Sequence, residues 1–376
     1  MIQHSQRFDA APATDGAPAR AGPLRTWPVV VLTCLFAGLI PETVATSSTS
    51  PAKMIAQPIS LPFICLFYGT ALLLVREALL RRRLGWTGVL LLGIAFGVVN
   101  EGVAAGTWYT VLPTGYRFIG PVDLTWIVAL TIFHTFLSIV LVAAFVECAF
   151  PAFAGRSLLR WPGITICAVL FGGFALLVAL TPHYRAYRLL ALALACALTL
   201  VALLLPGRGT RVRHGPLIAS ASEAPPRLWT LRLAGFGVMC LYFVLIYLVP
   251  AIVASVARGS LLADQFFDIA LLLLFSGLLI WRGWRWFEAT SGWTARHTLA
   301  LITGALTFTI LMSVLLPEGW ALAEPLVTLP FFVLLLWLGW RARQRDRAPA
   351  PAVLATAGDE LSMPLGGIAP RSGEYT

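Results

Sequence analysis

The sequence predicts an all-α, polytopic transmembrane helical bundle of about ten spans with both termini cytoplasmic, and three observations carry that prediction. First, 59% of the 376 residues are hydrophobic and only 12% charged, whereas soluble domains carry about 25% charged residues. Second, the mean hydropathy is +0.83, and the apolar residues fall in ten separate stretches of the length needed to cross a hydrocarbon layer of about 30 Å. Third, the basic residues alternate between the links joining those stretches. Twenty-two of the 27 lie on one side if the amino terminus is inside, as the positive-inside rule expects.

The spans follow in order. The first, 26–42, is the shortest, because Pro28 and Pro41 bracket an apolar core that at about 1.5 Å per residue barely crosses. Omitting it moves Arg7, Arg20 and Arg25 to the other side and weakens the asymmetry, so ten spans is the better reading. The others are 60–80, 86–106, 122–149, 161–181, 188–205, 231–257, 265–286, 297–316 and 321–340. Together they make one transmembrane domain, 26–345, with a hydrophilic inner loop at 206–230 that carries Arg208, Arg211, Arg213, Pro225 and Pro226. The flanks, 1–25 and 346–376, are rich in Ala, Pro, Gly and Ser without apolar periodicity and read as disordered cytoplasmic tails.

Several function classes drop out. The net charge of +10 belongs to one membrane face, where arginines meet anionic headgroups, and no groove-reading or base-stacking motif accompanies it, so no nucleic-acid partner is expected. The six cysteines, Cys34, Cys65, Cys148, Cys167, Cys196 and Cys240, fall one to a span without CxxC spacing and read as packing residues. No metal or cofactor motif is present in the sequence, and the expected surroundings are the lipid bilayer and a small or amphiphilic solute. The predominance of arginine over lysine and the abundant alanine point to a bacterial plasma membrane, the inner membrane. Glu42, Asp264, Asp268, Glu318 and Glu324 fall near the outer ends of spans and read as a vestibule or as solvated ends.

One pair stands apart. Asn100, the single asparagine of the chain, and Glu101 lie inside the otherwise apolar third span, where an ionisable residue is costly enough to face protein or water and to serve a function. Gly93, Gly97, Glu101 and Ala105 recur every four residues, so a small-residue stripe shares the face of the carboxylate and admits a neighbouring helix. The fourth span presents Asp123, Ile127, Thr131, His134 and Ser138 on one face. Glu101 and His134 are therefore the candidate catalytic residues, with Asn100, Asp123, Thr131 and Ser138 lining a polar outer-leaflet cavity. The two stripes fall within reach of each other, but helical rise puts Glu101 roughly 8 Å and His134 roughly 18 Å below the outer edge, which leaves direct contact open; water bridges the gap only if the cavity is polar and roomy. Three roles fit the pair: a protonated glutamate packed against a neutral histidine, a proton- or cation-coupled transport site, or a glutamate-activated water.

Residues 86–140 also resemble the glutamate intramembrane proteases of the CPBP or CAAX-processing family. That family shows a Glu-Glu pair followed by Arg, then Phe-x-x-x-His or Arg, then His-x-x-x-Asn or Asp. Here the pair is Asn100-Glu101, the arginine position holds Ala105, and the element around His134 reads Leu130-x-x-x-His134-x-x-x-Ser138. The resemblance implies a helical membrane scaffold in which Glu101 activates water and His134 assists. Transport-like handling of a solute is the favoured expectation, with glutamate-dependent hydrolysis and a non-enzymatic partner role as alternatives.

Overall fold

The computed structural model describes residues 23–44, 56–109, 122–205, 225–256, 261–289, 293–315 and 323–347. Most of both tails, the inner loop and the aromatic link around Tyr116 and Phe118 lie outside them. The described chain is helical, with no strand among the described residues.

Ten long helices follow one another, several interrupted by π-helical turns. Helix α1 runs Pro23–Leu39 and continues as a π segment, Ile40–Val44; α2 is Ser60–Arg82; α3 is Trp86–Gly97 extended by the π segment Val98–Ala105. Helix α4 comprises Leu124–Phe133, the π segment His134–Leu141 and Val142–Ala149. Then come α5 (Trp161–Ala179), α6 (Arg185–Leu204) and α7, which joins Leu228–Phe243, a π segment Val244–Leu248 and Val249–Val256. Helices α8 (Leu261–Ala289), α9 (Ala295–Leu315) and α10 (Ala323–Arg347) complete the order.

Among the described residues nine helices, α1 to α9, are long and apolar enough to span a membrane. The first is one of them, because its helix runs on through Pro41 as a π turn instead of stopping there. Helix α10 occupies the last expected span, with Arg341, Arg343, Arg345 and Arg347 gathered at its C-terminal end. The chain is thus an integral membrane protein built as an all-α bundle.

In lipid no hydrophobic force drives helix against helix, so close packing must do it. Glycines supply the approach. A methyl group at Gly38 would lie 2.8 Å from Cys65 Cα, one at Gly93 2.8 Å from Thr135 Cγ2, and one at Gly97 3.1 Å from the Thr131 backbone. Gly235 and Gly304 seat α7 and α9 backbone to backbone in the same way. The core fills with aromatics: Phe145 is wholly buried, with its ring edge-on to Phe36 at 5.0 Å and beside Phe331 at 5.6 Å. Helices α5 and α6 lie at the rim and turn Val169, Leu177, Leu190 and Leu204 outward, a surface whose natural solvent is lipid. All six cysteines are free.

At the arginine-rich end a clasp closes the turn between α4 and α5. Arg76 reaches Glu147 Oε1 at 2.8 Å and donates to the carbonyls of Phe153 (2.8 Å) and Arg156 (2.7 Å). Its neighbour Glu77 accepts from the backbone amides of Leu158 (2.7 Å) and Leu159 (3.0 Å), from Ser157 (2.6 Å) and from Arg81 (3.0 Å). Two adjacent residues of α2 therefore hold a loop some eighty residues away.

Candidate functional site: a buried carboxylate and imidazole

Three of the four π segments among the described residues each contribute buried polar side chains to one region: Glu42 from α1, Asn100 and Glu101 from α3, His134 and Ser138 from α4. A π turn inserts a residue into the helical repeat, breaks the i to i−4 ladder locally and is frequent at functional sites. Here it rotates successive side chains off the lipid-facing stripe and into the interior.

The geometry is direct. His134 Nε2 lies 2.6 Å from Glu101 Oε1, and the Asn100 amide donates to the same oxygen at 2.8 Å while lying 3.0 Å from the ring nitrogen. The other carboxylate oxygen accepts from the Thr107 hydroxyl. On the far side of the ring, Nδ1 meets Ser138 Oγ at 2.8 Å. Glu101 is 4% exposed and His134 0%, and the ring is walled by Phe133, Phe96 and Tyr68 with centroids 5.1, 6.0 and 6.1 Å away.

The two groups touch directly despite their different depths, and the reason is the direction of side chains. In an α-helix each Cα–Cβ bond leans toward the N-terminus. Helices α3 and α4 run antiparallel, with Gly97 facing Thr131 and Gly93 facing Thr135. Glu101 therefore leans toward one end of the bundle and His134 toward the other, and the two close a vertical offset of roughly 10 Å in backbone position. The loop after α3 completes the arrangement. Gly106 ends the helix in the left-handed region, at φ 69°, where glycine carries no steric cost, and the chain turns so that Thr107 folds back over Glu101.

The sequence offered a vestibule or a solvated end for Glu42, and the structure buries it instead. It is 3% exposed and accepts a hydrogen bond from Tyr68, whose ring lies beside that of His134 at 6.1 Å. The buried polar groups thus fall in two adjoining sets, Glu42 with Tyr68 and Asn100, Glu101, His134 and Ser138, with the Tyr68 ring against His134. The signal available in the sequence was Pro41-Glu42 at a helix end that should fray but instead continues inward as a π turn.

Of the remaining candidates, Thr131 packs against Gly97 on the α3–α4 contact, a full turn from the pair. Asp123 sits at the start of α4, where one carboxylate oxygen caps the helix by accepting from the Trp126 amide at 2.9 Å. Just beyond α3, Tyr109 stacks between Tyr184 and Tyr187, at 5.2 and 5.5 Å, and burial pushes its phenol up to about 12. Among the described residues no group of three or more His, Cys, Asp or Glu is placed to hold a metal.

No family model matches the chain, and no curated protein or solved structure matches it either. The chemistry must be argued from the site alone.

Proposed function

We propose that the protein handles a small or amphiphilic solute across a bacterial plasma membrane by gaining and losing a proton at Glu101 and His134, with both termini cytoplasmic. The observation that carries this reading is the 2.6 Å contact between a buried carboxylate and a buried imidazole. One proton can sit on either group, and its position decides whether the pair is neutral or charged inside a low-dielectric bundle. A change in that charge state alters how tightly α3 and α4 hold together, which is the coupling a transport cycle requires. An apolar cavity of about 240 Å³, lined in part by Phe136, Leu137, Val140 and Leu141 of α4 and by Met239 and Ile302, adjoins the His134–Leu141 segment. It supplies room for the apolar part of an amphiphile.

A second reading, glutamate-dependent hydrolysis, is favoured by Asn100-Glu101 and His134 standing together as the resemblance to glutamate intramembrane proteases implies. Hydrolysis needs an open carboxylate face for water. Both oxygens of Glu101 already accept hydrogen bonds from protein donors, which favours the relay.

The test is electrical. Proteoliposomes on a solid-supported membrane are challenged with a panel of small amphiphilic solutes at two pH values. The wild type gives pH-dependent currents for at least one solute and Glu101→Gln abolishes them. Currents of unchanged size and pH dependence in Glu101→Gln overturn the reading. Cleavage of a fluorogenic membrane peptide that is lost in both Glu101→Ala and His134→Ala would establish the hydrolytic alternative.

A further inference from the structure

A second polar cluster lies between α4 and α8, away from the Glu101–His134 pair. The Asp123 carboxylate is held in place because Oδ1 caps α4. Its Oδ2 is buried without a hydrogen-bond partner among the described residues, and the residue is 1% exposed. Two residues on, the Thr125 hydroxyl is equally buried at 1% and also lacks a partner.

Helix α8 brings the other half. Leu272 is wholly buried in a cluster with Trp126, Ala129 and Phe133 of α4, which fixes the register of the two helices. Asp268, one turn before Leu272, is therefore carried up to the level of the α4 N-terminus. It is 6% exposed, its Oδ1 has no partner, and the charges that reach it are those of Asp264 and Asp123. Among the described residues, the ionisable groups that reach Asp268 are both acids.

Unpaired carboxylates are rarely tolerated in a protein interior, because desolvation penalises each one and the two repel. A cation between them removes both costs. The donors are hard oxygens, two of them anionic and one a hydroxyl, which suits alkali or alkaline-earth ions rather than zinc or copper. With fewer than three protein carboxylates, the ion would keep some of its water.

We propose that Asp123, Thr125 and Asp268 form a binding site for a hard cation, sodium or calcium, that ties α8 to the N-terminus of α4. The site is independent of the reading given to Glu101 and His134. Its role is to fix α8, and with it one wall of the apolar cavity, against the helix that carries the imidazole.

The experiment uses the full-length protein in detergent micelles. Thermal unfolding is followed in sodium chloride, calcium chloride and choline chloride at matched ionic strength, since a ligand that binds only the folded state raises the midpoint in proportion to the logarithm of its concentration. The expected result is a midpoint that climbs by several degrees with sodium or calcium and not with choline. Asp268→Asn removes the climb. Asp123→Asn also removes it while keeping a good helix cap, so loss of the fold does not mimic loss of the site. Glu101→Gln keeps the climb, which separates this site from the transport reading. Equal midpoints in all three salts overturn the proposal, as does a cation-dependent climb that survives in both aspartate variants. A variant Asp268→Asn that is more stable than the wild type in every salt also overturns it, because that result assigns the pair to a shared proton.

Discussion

Glu101 and His134 touch at 2.6 Å although they sit on antiparallel helices at different depths, because each side chain leans toward the N-terminus of its own helix. The contact is over-determined. Asn100 and Thr107 hold the carboxylate, Ser138 holds the opposite ring nitrogen, and three aromatic rings leave the imidazole little freedom. Such a pair is held in one geometry from both sides.

Removing both members of the pair should cost less than the sum of the two single removals. Glu101→Ala leaves Asn100, Thr107 and His134 without their acceptor, and breaking a buried pair from one side typically costs about 3–5 kcal/mol. Glu101→Gln and His134→Gln are milder single changes, and their double variant restores a neutral, hydrogen-bonding contact, so these three variants close a cycle. A double-mutant cycle read from thermal unfolding is expected to give a coupling of about 0.5–3 kcal/mol; strictly additive effects would show that the two groups act separately.

The α3–α4 crossing should be intolerant of bulk. Gly97→Leu places a side chain where a single methyl group already meets the Thr131 backbone at 3.1 Å, and overpacking of this kind costs about 1–3 kcal/mol. Gly172→Ala on α5, where a methyl group meets nothing within 4 Å, is expected to be silent. Comparing the two by thermal unfolding isolates the crossing; equal stability would mean the helices separate freely at Gly97.

The bundle was legible in the sequence because composition and arginine placement depend on the membrane and not on detailed packing. The four-residue spacing of Gly93, Gly97 and Glu101 likewise announced a close helix contact. What the sequence could not convey was the π turn. A regular helical wheel assigns Glu42 to a fraying end and gives no reason for Tyr68 to approach it, whereas the structure continues α1 inward and joins the two. The burial of Asp268 was hidden for a related reason: an acid near a helix end gives no sign of burial until the neighbouring helix is docked, and the cluster that joins Leu272 with Trp126, Ala129 and Phe133 sets that docking.

Tyr68→Phe tests the contact between Tyr68 and Glu42. The ring and its packing against Phe96 at 5.1 Å are retained, and only the hydroxyl is lost. Glu42 then loses a donor inside the bundle, for which about 1–3 kcal/mol of destabilisation is expected. Restoring stability with Glu42→Gln in the Tyr68→Phe background is the confirming measurement. An unaltered unfolding midpoint in Tyr68→Phe would show that the hydroxyl contributes nothing to the buried network.

The clasp at the arginine-rich end should separate folding from function. Arg76→Lys keeps the charge but loses the planar fork that reaches Glu147 and two loop carbonyls together, a substitution that is not conservative at such a site. The loop between α4 and α5 is expected to loosen, read as faster amide hydrogen exchange at Ser157 to Leu159, whose backbone and side chain donate to the neighbouring Glu77. Because the clasp does not contact Glu101 or His134, the pH dependence of solute currents should keep its midpoint in Arg76→Lys while its amplitude falls with the folded fraction. A shifted midpoint would instead tie the clasp to the buried pair through α2 and Tyr68, eight residues away on the same helix.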